Sequence, residues 1–178
     1  MAKNSRKQIM LDEIKIVEQL SKNANKSIND IAKSCGFSRQ KVWRIIKNLE
    51  KNNTIWGYTS IIDEEKQNKK SFVVLIKRSP NPLNKELVDK IAKREISKRA
   101  AKLGIKIITS MYTNGIYDWF IHFNANNIKD AKIFIEDLNK TFEGYIEESS
   151  LLEKMFTTES YGIQNPEINK VRDFFPEL

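Results

Sequence analysis

Between residues 27 and 51 the chain reads SINDIAKSCGFSRQKVWRIIKNLEK, and its apolar positions change phase once, at a glycine. Ile28, Ile31 and Ala32 form one stripe at helical spacing. Val42, Ile45, Ile46 and Leu49 form a second, at i, i+3, i+4 and i+7. Ser27, with Asp30 three residues on, reads as an N-cap with an acidic first turn. Gly36 supplies the backbone freedom a sharp turn needs, and Ser38 caps the second segment. The pattern predicts two short helices joined by a tight turn. Upstream, Leu11, Ile14, Ile16, Val17 and Leu20 predict an amphipathic helix that closes a three-helix core with this pair. Opposite the second apolar stripe stand Gln40, Arg44, Lys47 and Lys51, with Arg39 at the open end and Trp43 on the flank.

After Asn52-Asn53 the period changes. Thr54 to Ile62 is β-branched and aromatic and reads as a strand leaving the first domain. Asp63 to Lys70, DEEKQNKK, is uniformly polar and reads as a linker. Ser71 to Lys77 is a continuous apolar run suited to a buried strand. SPNP breaks it, and residues near Leu83 to Leu103 read as one long helix ended by Gly104. Strands are expected over Ile105–Tyr112 and Ile116–Phe123, with a turn at Asn114-Gly115. A helix capped by Asn127 and a fourth strand over Ser150–Thr158 complete the series. The order is βαββαβ, the ferredoxin-like split unit. The fold class is therefore α+β, with an N-terminal, winged type of helix-turn-helix domain over 1–62 and a linker over 63–70. A ferredoxin-like domain occupies 71–160, and a C-terminal tail occupies 161–178. Helices cover one face of such a sheet. Either Tyr117, Trp119, Ile121 and Phe123 or their neighbours lie on the other face, and a second subunit is expected to cover it.

Charge sharpens the picture. The chain carries a formal net charge of +8 over 178 residues. Residues 1–70 hold 15 Lys and Arg against 8 Asp and Glu, whereas residues 71–178 hold 16 against 15. The excess lies with the helical pair, which points to phosphate neutralisation by the first domain. No long apolar run speaks for a membrane, and the MAKNSRKQIM start lacks an apolar signal core, so a cytoplasmic protein is expected. Cys35 is alone, so no internal disulfide and no CxxC metal pair forms. No metal site, cofactor or catalytic group is expected.

A basic outer face on the second helix of such a pair suits the DNA major groove. Ser38, Arg39, Gln40, Trp43 and Arg44 lie towards its N-terminal end, where base edges are reached, and Lys47 and Lys51 lie where phosphates are met.

Several short runs occur together: Leu11-Asp12 with Ile14, Ile31-Ala32, Gly36-Phe37-Ser38, Val42 and Leu49-Glu50, Ile55 and Gly57-Tyr58-Thr59, and Gly115-Ile116-Tyr117-Asp118. In this order, over roughly residues 10–160, they resemble the Lrp/AsnC (feast/famine) family of transcriptional regulators. The resemblance implies a double-stranded DNA partner, a homodimer or higher homo-oligomer formed through the C-terminal domain, and contact with the transcription machinery. It also implies an amino acid effector near the Gly-X-Tyr-Asp turn, with Tyr112, Asn114, Gly115, Tyr117 and Asp118 as the candidate residues. Two features depart from the family: the long basic helix over 83–103 and the extra tail ending VRDFFPEL.

Two other functions bear on this architecture. A siroheme decarboxylase of similar architecture calls for protonatable groups around a tetrapyrrole; this chain offers His122 alone, and Thr54-Ile55-Trp56-Gly57 stands where an Arg-Arg-Ile-Gly run is associated with those enzymes. An architectural DNA binder needs a basic face without base readers, which Arg39, Gln40 and Arg44 argue against.

Overall fold

The computed structural model describes residues 6–175. The first five residues of MAKNSRKQIM and the last three of the VRDFFPEL tail lie outside the described residues. The chain forms two units, one running to Ile61 and resuming at Thr158, the other covering Ile62–Thr157.

In the first unit, α1 (Arg6–Lys22), α2 (Ile28–Cys35) and α3 (Arg39–Lys51) enclose Ile16, Ile31, Ala32, Val42, Ile45, Ile46 and Leu49. The local signals work as the sequence predicts. The Ser27 hydroxyl accepts from the Asp30 amide (3.1 Å) and donates to the Asp30 carboxylate (2.6 Å), closing the start of α2. Gly36 takes φ +69°, which lets the Phe37 amide reach back to the Ala32 carbonyl (2.9 Å) and end α2. The Ser38 hydroxyl accepts from the Lys41 amide (3.2 Å) and starts α3. Leu11 and Ile14 differ from expectation: both stay exposed on α1, and Ile16 is the one apolar residue of that helix that is fully buried.

No strand succeeds α3. Ile55 turns back onto the helical core, its amide bonded to the Leu49 carbonyl, and the segment through Ile62 has no ladder partner among the described residues. A strand former without a neighbouring strand makes no sheet, whatever its propensity. Trp56 is 94% exposed as a result. A short hairpin, β5 (Glu159–Ser160) with β6 (Ile163–Gln164), straddles the expected boundary between the ferredoxin-like domain and the tail, and the tail contains a 3₁₀ stretch over Ile168–Phe174.

The second unit is a four-stranded antiparallel sheet in the order β2-β3-β1-β4, from β1 (Lys70–Arg78), β2 (Lys106–Tyr112), β3 (Trp119–Ala125) and β4 (Ile146–Glu153). The polar linker ends earlier than expected, because Glu65–Gln67 forms a 3₁₀ turn and Lys70 already pairs in β1. Register settles which face is inner. Phe72, Val74 and Ile76 of β1 and Trp119, Ile121 and Phe123 of β3 pack with Ala131, Phe134, Ile135 and Leu138 of α6 (Ile128–Thr141). Val73, Leu75, Phe120, His122 and Leu152 alternate with that set and take the face without helices. The fourth strand begins and ends earlier than Ser150–Thr158, because β1 pairs with residues from Ile146 to Glu153.

The long helix over 83–103 is two helices, α4 (Lys85–Ala92) and α5 (Glu95–Lys102). Arg94 separates them with φ +55°, a left-handed conformation. The reason is phase. Leu83, Leu87 and Ile91 recur every four residues, but the next core residue, Ile96, lies five further on. At about 100° per residue that step would swing Ile96 off the stripe of a continuous helix, and the break restores it to the sheet.

Candidate nucleic-acid interface

The candidate recognition surface is built on α3. Its inner face is fixed by Val42, Ile45, Ile46 and Leu49, all buried, so the opposite face has only one direction to point. Arg39, Gln40, Trp43, Arg44, Lys47 and Lys51 are exposed there, and Trp43 keeps 54% of its surface open. Arg39, Gln40, Trp43 and Arg44, with Ser38 and Ile28, line one open hollow at the N-terminal ends of α2 and α3. The candidate base readers therefore converge. Ser38 is already engaged as the helix cap, its hydroxyl held by the Lys41 amide.

Further along α3 the two lysines differ. Lys51 has no acid partner among the described residues, whereas Lys47 Nζ lies 2.6 Å from Glu50 Oε2. Glu50 also accepts from the Tyr58 hydroxyl (3.1 Å). The hydrogen bond from Lys47 holds the Glu50 carboxyl below its ordinary range, and burial together with Glu50 pushes the Tyr58 phenol up. An exposed pair of this kind is weak, so a phosphate competes for Lys47 on good terms.

The residues that orient α3 do not stand out from the sequence pattern. Asp12 is buried, and its Oδ2 lies 2.6 Å from Lys41 Nζ. Lys41 also stands 3.9 Å above the Phe37 ring, a cation–π contact that stacks it on the turn. The Lys41 hydrogen bond outweighs burial and holds the Asp12 carboxyl below its usual range. The one available signal is spacing, since Lys41 precedes Ile45 by four residues and so leans to the inner flank.

The candidate effector residues gather in the turn between β2 and β3. The Thr113 amide donates to the Asp118 carbonyl (2.9 Å), and its hydroxyl donates to the Tyr117 carbonyl (2.5 Å). The Tyr112 ring stacks on Trp119 at 5.1 Å, and burial pushes its phenol well above the ordinary range. The Asp118 carboxylate is occupied: it accepts from the Arg78 amide (2.9 Å) and lies 3.2 Å from Arg78 Nε. Nothing among the described residues lies within 4 Å of where a side chain on Gly115 would begin. Asn114 belongs to the same turn without a bond that defines it as a ligand group.

Comparison with known proteins respects the same division. A family model described as winged helix-turn-helix DNA-binding matches residues 12–55, which span α1 from Asp12 through α3 to Ile55. The HTH-type transcriptional regulator LysM of Sulfurisphaera tokodaii is 29% identical over 141 residues, covering 79% of this chain and 91% of that protein. An AsnC family transcriptional regulator from Agrobacterium tumefaciens shares the fold with a TM-score of 0.61 at 20% identity, over 84% of this chain and 92% of that one. So does a transcriptional regulator of Neisseria meningitidis solved as an L-methionine complex, with a TM-score of 0.62 at 13% identity, over 84% and 91% of the two chains. The chain thus carries a winged helix-turn-helix DNA-binding segment, is similar along most of its length to an HTH-type transcriptional regulator, and shares the fold of an AsnC family regulator.

Proposed function

We propose that the protein binds double-stranded DNA at specific sequences as a dimer or higher homo-oligomer, with α3 in the major groove. The observation that carries this reading is the convergence of Arg39, Gln40, Trp43 and Arg44 on one exposed end of a helix whose other face is locked in a core. Arg44 and Gln40 have the fork and amide geometries that pair with guanine and adenine edges, while Lys47 and Lys51 are set for phosphate. The unit boundaries at Ile61 and Ile62 favour a division of labour in which residues to about 62 bind DNA and the sheet domain assembles the protein.

Assembly is supported by two unfilled surfaces. The helix-free sheet face exposes Leu152 beside Val73, Leu75 and Phe120, and the segment Thr54–Ile62 is a strand former without a ladder. A two-fold pair would place two recognition helices about 34 Å apart, one DNA turn. An amino acid effector at the β2–β3 turn is favoured by the open space at Gly115 and by the methionine complex of the structural relative. No helix among the described residues is long and apolar enough to cross a membrane, and a DNA-bound regulator works in the cytoplasm alongside the transcription machinery. The reading is non-enzymatic: His122 Nε2 is taken up by the Ser71 hydroxyl at 2.6 Å, within the sheet.

Selection from a random duplex library with the full chain tests the proposal. Enrichment of a two-fold symmetric sequence is expected; recovery of unselected sequences would contradict it.

A further inference from the structure

The near-neutral second unit hides a segregation of charge. Residues 83–106 hold eight Lys and Arg against three acids, while residues 143–153 hold four acids and no base. Within the basic stretch the side chains divide again. Lys90 pairs with Glu86 (2.8 Å) and Arg99 with Asp137, whereas Lys85, Lys93, Arg94, Lys98, Lys102 and Lys106 are exposed and have no acid partner among the described residues. Lys98 and Lys102 lie one turn apart on α5, about 6 Å along its axis, and with Arg94 before them at the N-cap they make one basic row in sequence.

Arg94 makes the row unusual. It occupies the left-handed position that breaks α4 from α5, where glycine or asparagine costs least. The phase of the core explains the break, but it does not explain an arginine there. We propose that Arg94, Lys98 and Lys102 form a second nucleic-acid contact, a sequence-independent track for the phosphate backbone of duplex DNA. This rests on the DNA-binding reading of the first unit.

Composition favours phosphate over a protein partner. Protein interfaces are depleted in lysine and centred on aromatic and large apolar groups. The exposed neighbours of the row on α5 are Arg99 and Ala101, and no large apolar side chain of α5 is exposed. Three cations on long stems, two of them compact ammonium charges, without an apolar anchor, match a surface of evenly repeated anions. Reading sequence needs planar or forked groups, and two of these three are lysines, so the contact neutralises charge instead of selecting bases.

The test uses the full chain and random-sequence duplexes of about 15 and about 60 base pairs, titrated between about 50 and 200 mM salt. The variant is Arg94→Asn with Lys98→Gln and Lys102→Gln, asparagine being chosen because it tolerates the left-handed backbone. On the long duplex its slope of log affinity against log salt should be shallower by about 2–3, as expected for three lost phosphate contacts. On the short duplex, with fewer phosphates in reach, the slope should fall by no more than that. A Lys98→Arg, Lys102→Arg variant should keep the wild-type slope. Equal slopes for wild type and triple variant on the long duplex would overturn the proposal, as would an arginine variant that behaves like the glutamine one. A change in sedimenting mass without a change in slope would assign the row to a second copy of the chain, again overturning it. Should wild type itself bind neither duplex, the DNA-binding reading fails as well, which separates that failure from this one.

Discussion

Lys41 Nζ sits 2.6 Å from the buried carboxylate of Asp12, tying the first turn of α3 to α1. The pair is a strut: it fixes α3 against the helix behind it, and Phe37 closes over the same ammonium from the turn. Asp12→Ala should cost about 1.5–3 kcal/mol of stability at neutral pH, the range for a charged hydrogen bond. The sign with pH comes from the depressed carboxyl. The contribution is fully present above the unfolded value of 3.8 and is lost as pH falls through the lower folded value. Melting curves of wild type and variant should therefore converge on acidification below about pH 4.

His122 predicts a second pH dependence of opposite origin. Burial, and then the charge of Lys154, lower its folded value beneath the ordinary 6.5, with Glu64 opposing. Lys154 and Glu64 are themselves joined at 2.7 Å. The stability gained from a neutral His122 is present above 6.5 and lost as pH falls through the folded value. Wild type should lose melting temperature between about pH 7 and 5, and His122→Gln should flatten that limb. A slope unchanged by the substitution would assign it elsewhere.

Assembly through the helix-free sheet face is tested at Leu152, 49% exposed in one chain and paired with Val73 on that face. Leu152→Glu places a charge where a partner is expected, and sedimentation should show a smaller species with an unchanged far-ultraviolet spectrum. Burial of that side chain is worth about 1.5–3 kcal/mol per copy. An unchanged mass would move the interface away from this face.

The candidate effector residues give a prediction at Asp118. Because its carboxylate already holds Arg78, alanine would disturb β1 as well as any ligand. Asp118→Asn keeps an acceptor for the Arg78 amide and removes the charge. Calorimetry against the common amino acids, with sedimentation alongside, should show heat and a change of mass for wild type and neither for the variant. Silence from wild type with every amino acid would leave the domain as an assembly module.

Much of this arrangement is legible in the sequence where the information is local. Ser27, Gly36 and Ser38 act within four residues of themselves, so caps and turn can be read directly from residue type. The α3 stripe fixes which side chains face out, which is why Arg39, Gln40, Trp43 and Arg44 emerge together. Features that depend on distant partners are not legible. Trp119, Ile121 and Phe123 face the helices only because β1 pairs with β3 in one register. Thr54–Ile62 has strand chemistry but no neighbour to pair with. Asp12 looks like any helix-surface acid until Lys41 is brought to it from 29 positions along the chain. The break at Arg94 shows in the five-residue step from Ile91 to Ile96, a spacing that the composition of the long helical stretch conceals.

Sequence readout by the residues at the N-terminal end of α3 is tested most directly by Arg44→Ala. Affinity is measured for the duplex recovered by selection and for random DNA, at one salt concentration, with Lys51→Ala as the companion variant. Arg44→Ala should cost about 1–3 kcal/mol on the selected site and leave random DNA nearly unaffected, whereas Lys51→Ala should weaken both alike and, in a salt titration, lower the slope by roughly one. Equal losses on the two duplexes for Arg44→Ala would contradict the assignment of base readout to this helix.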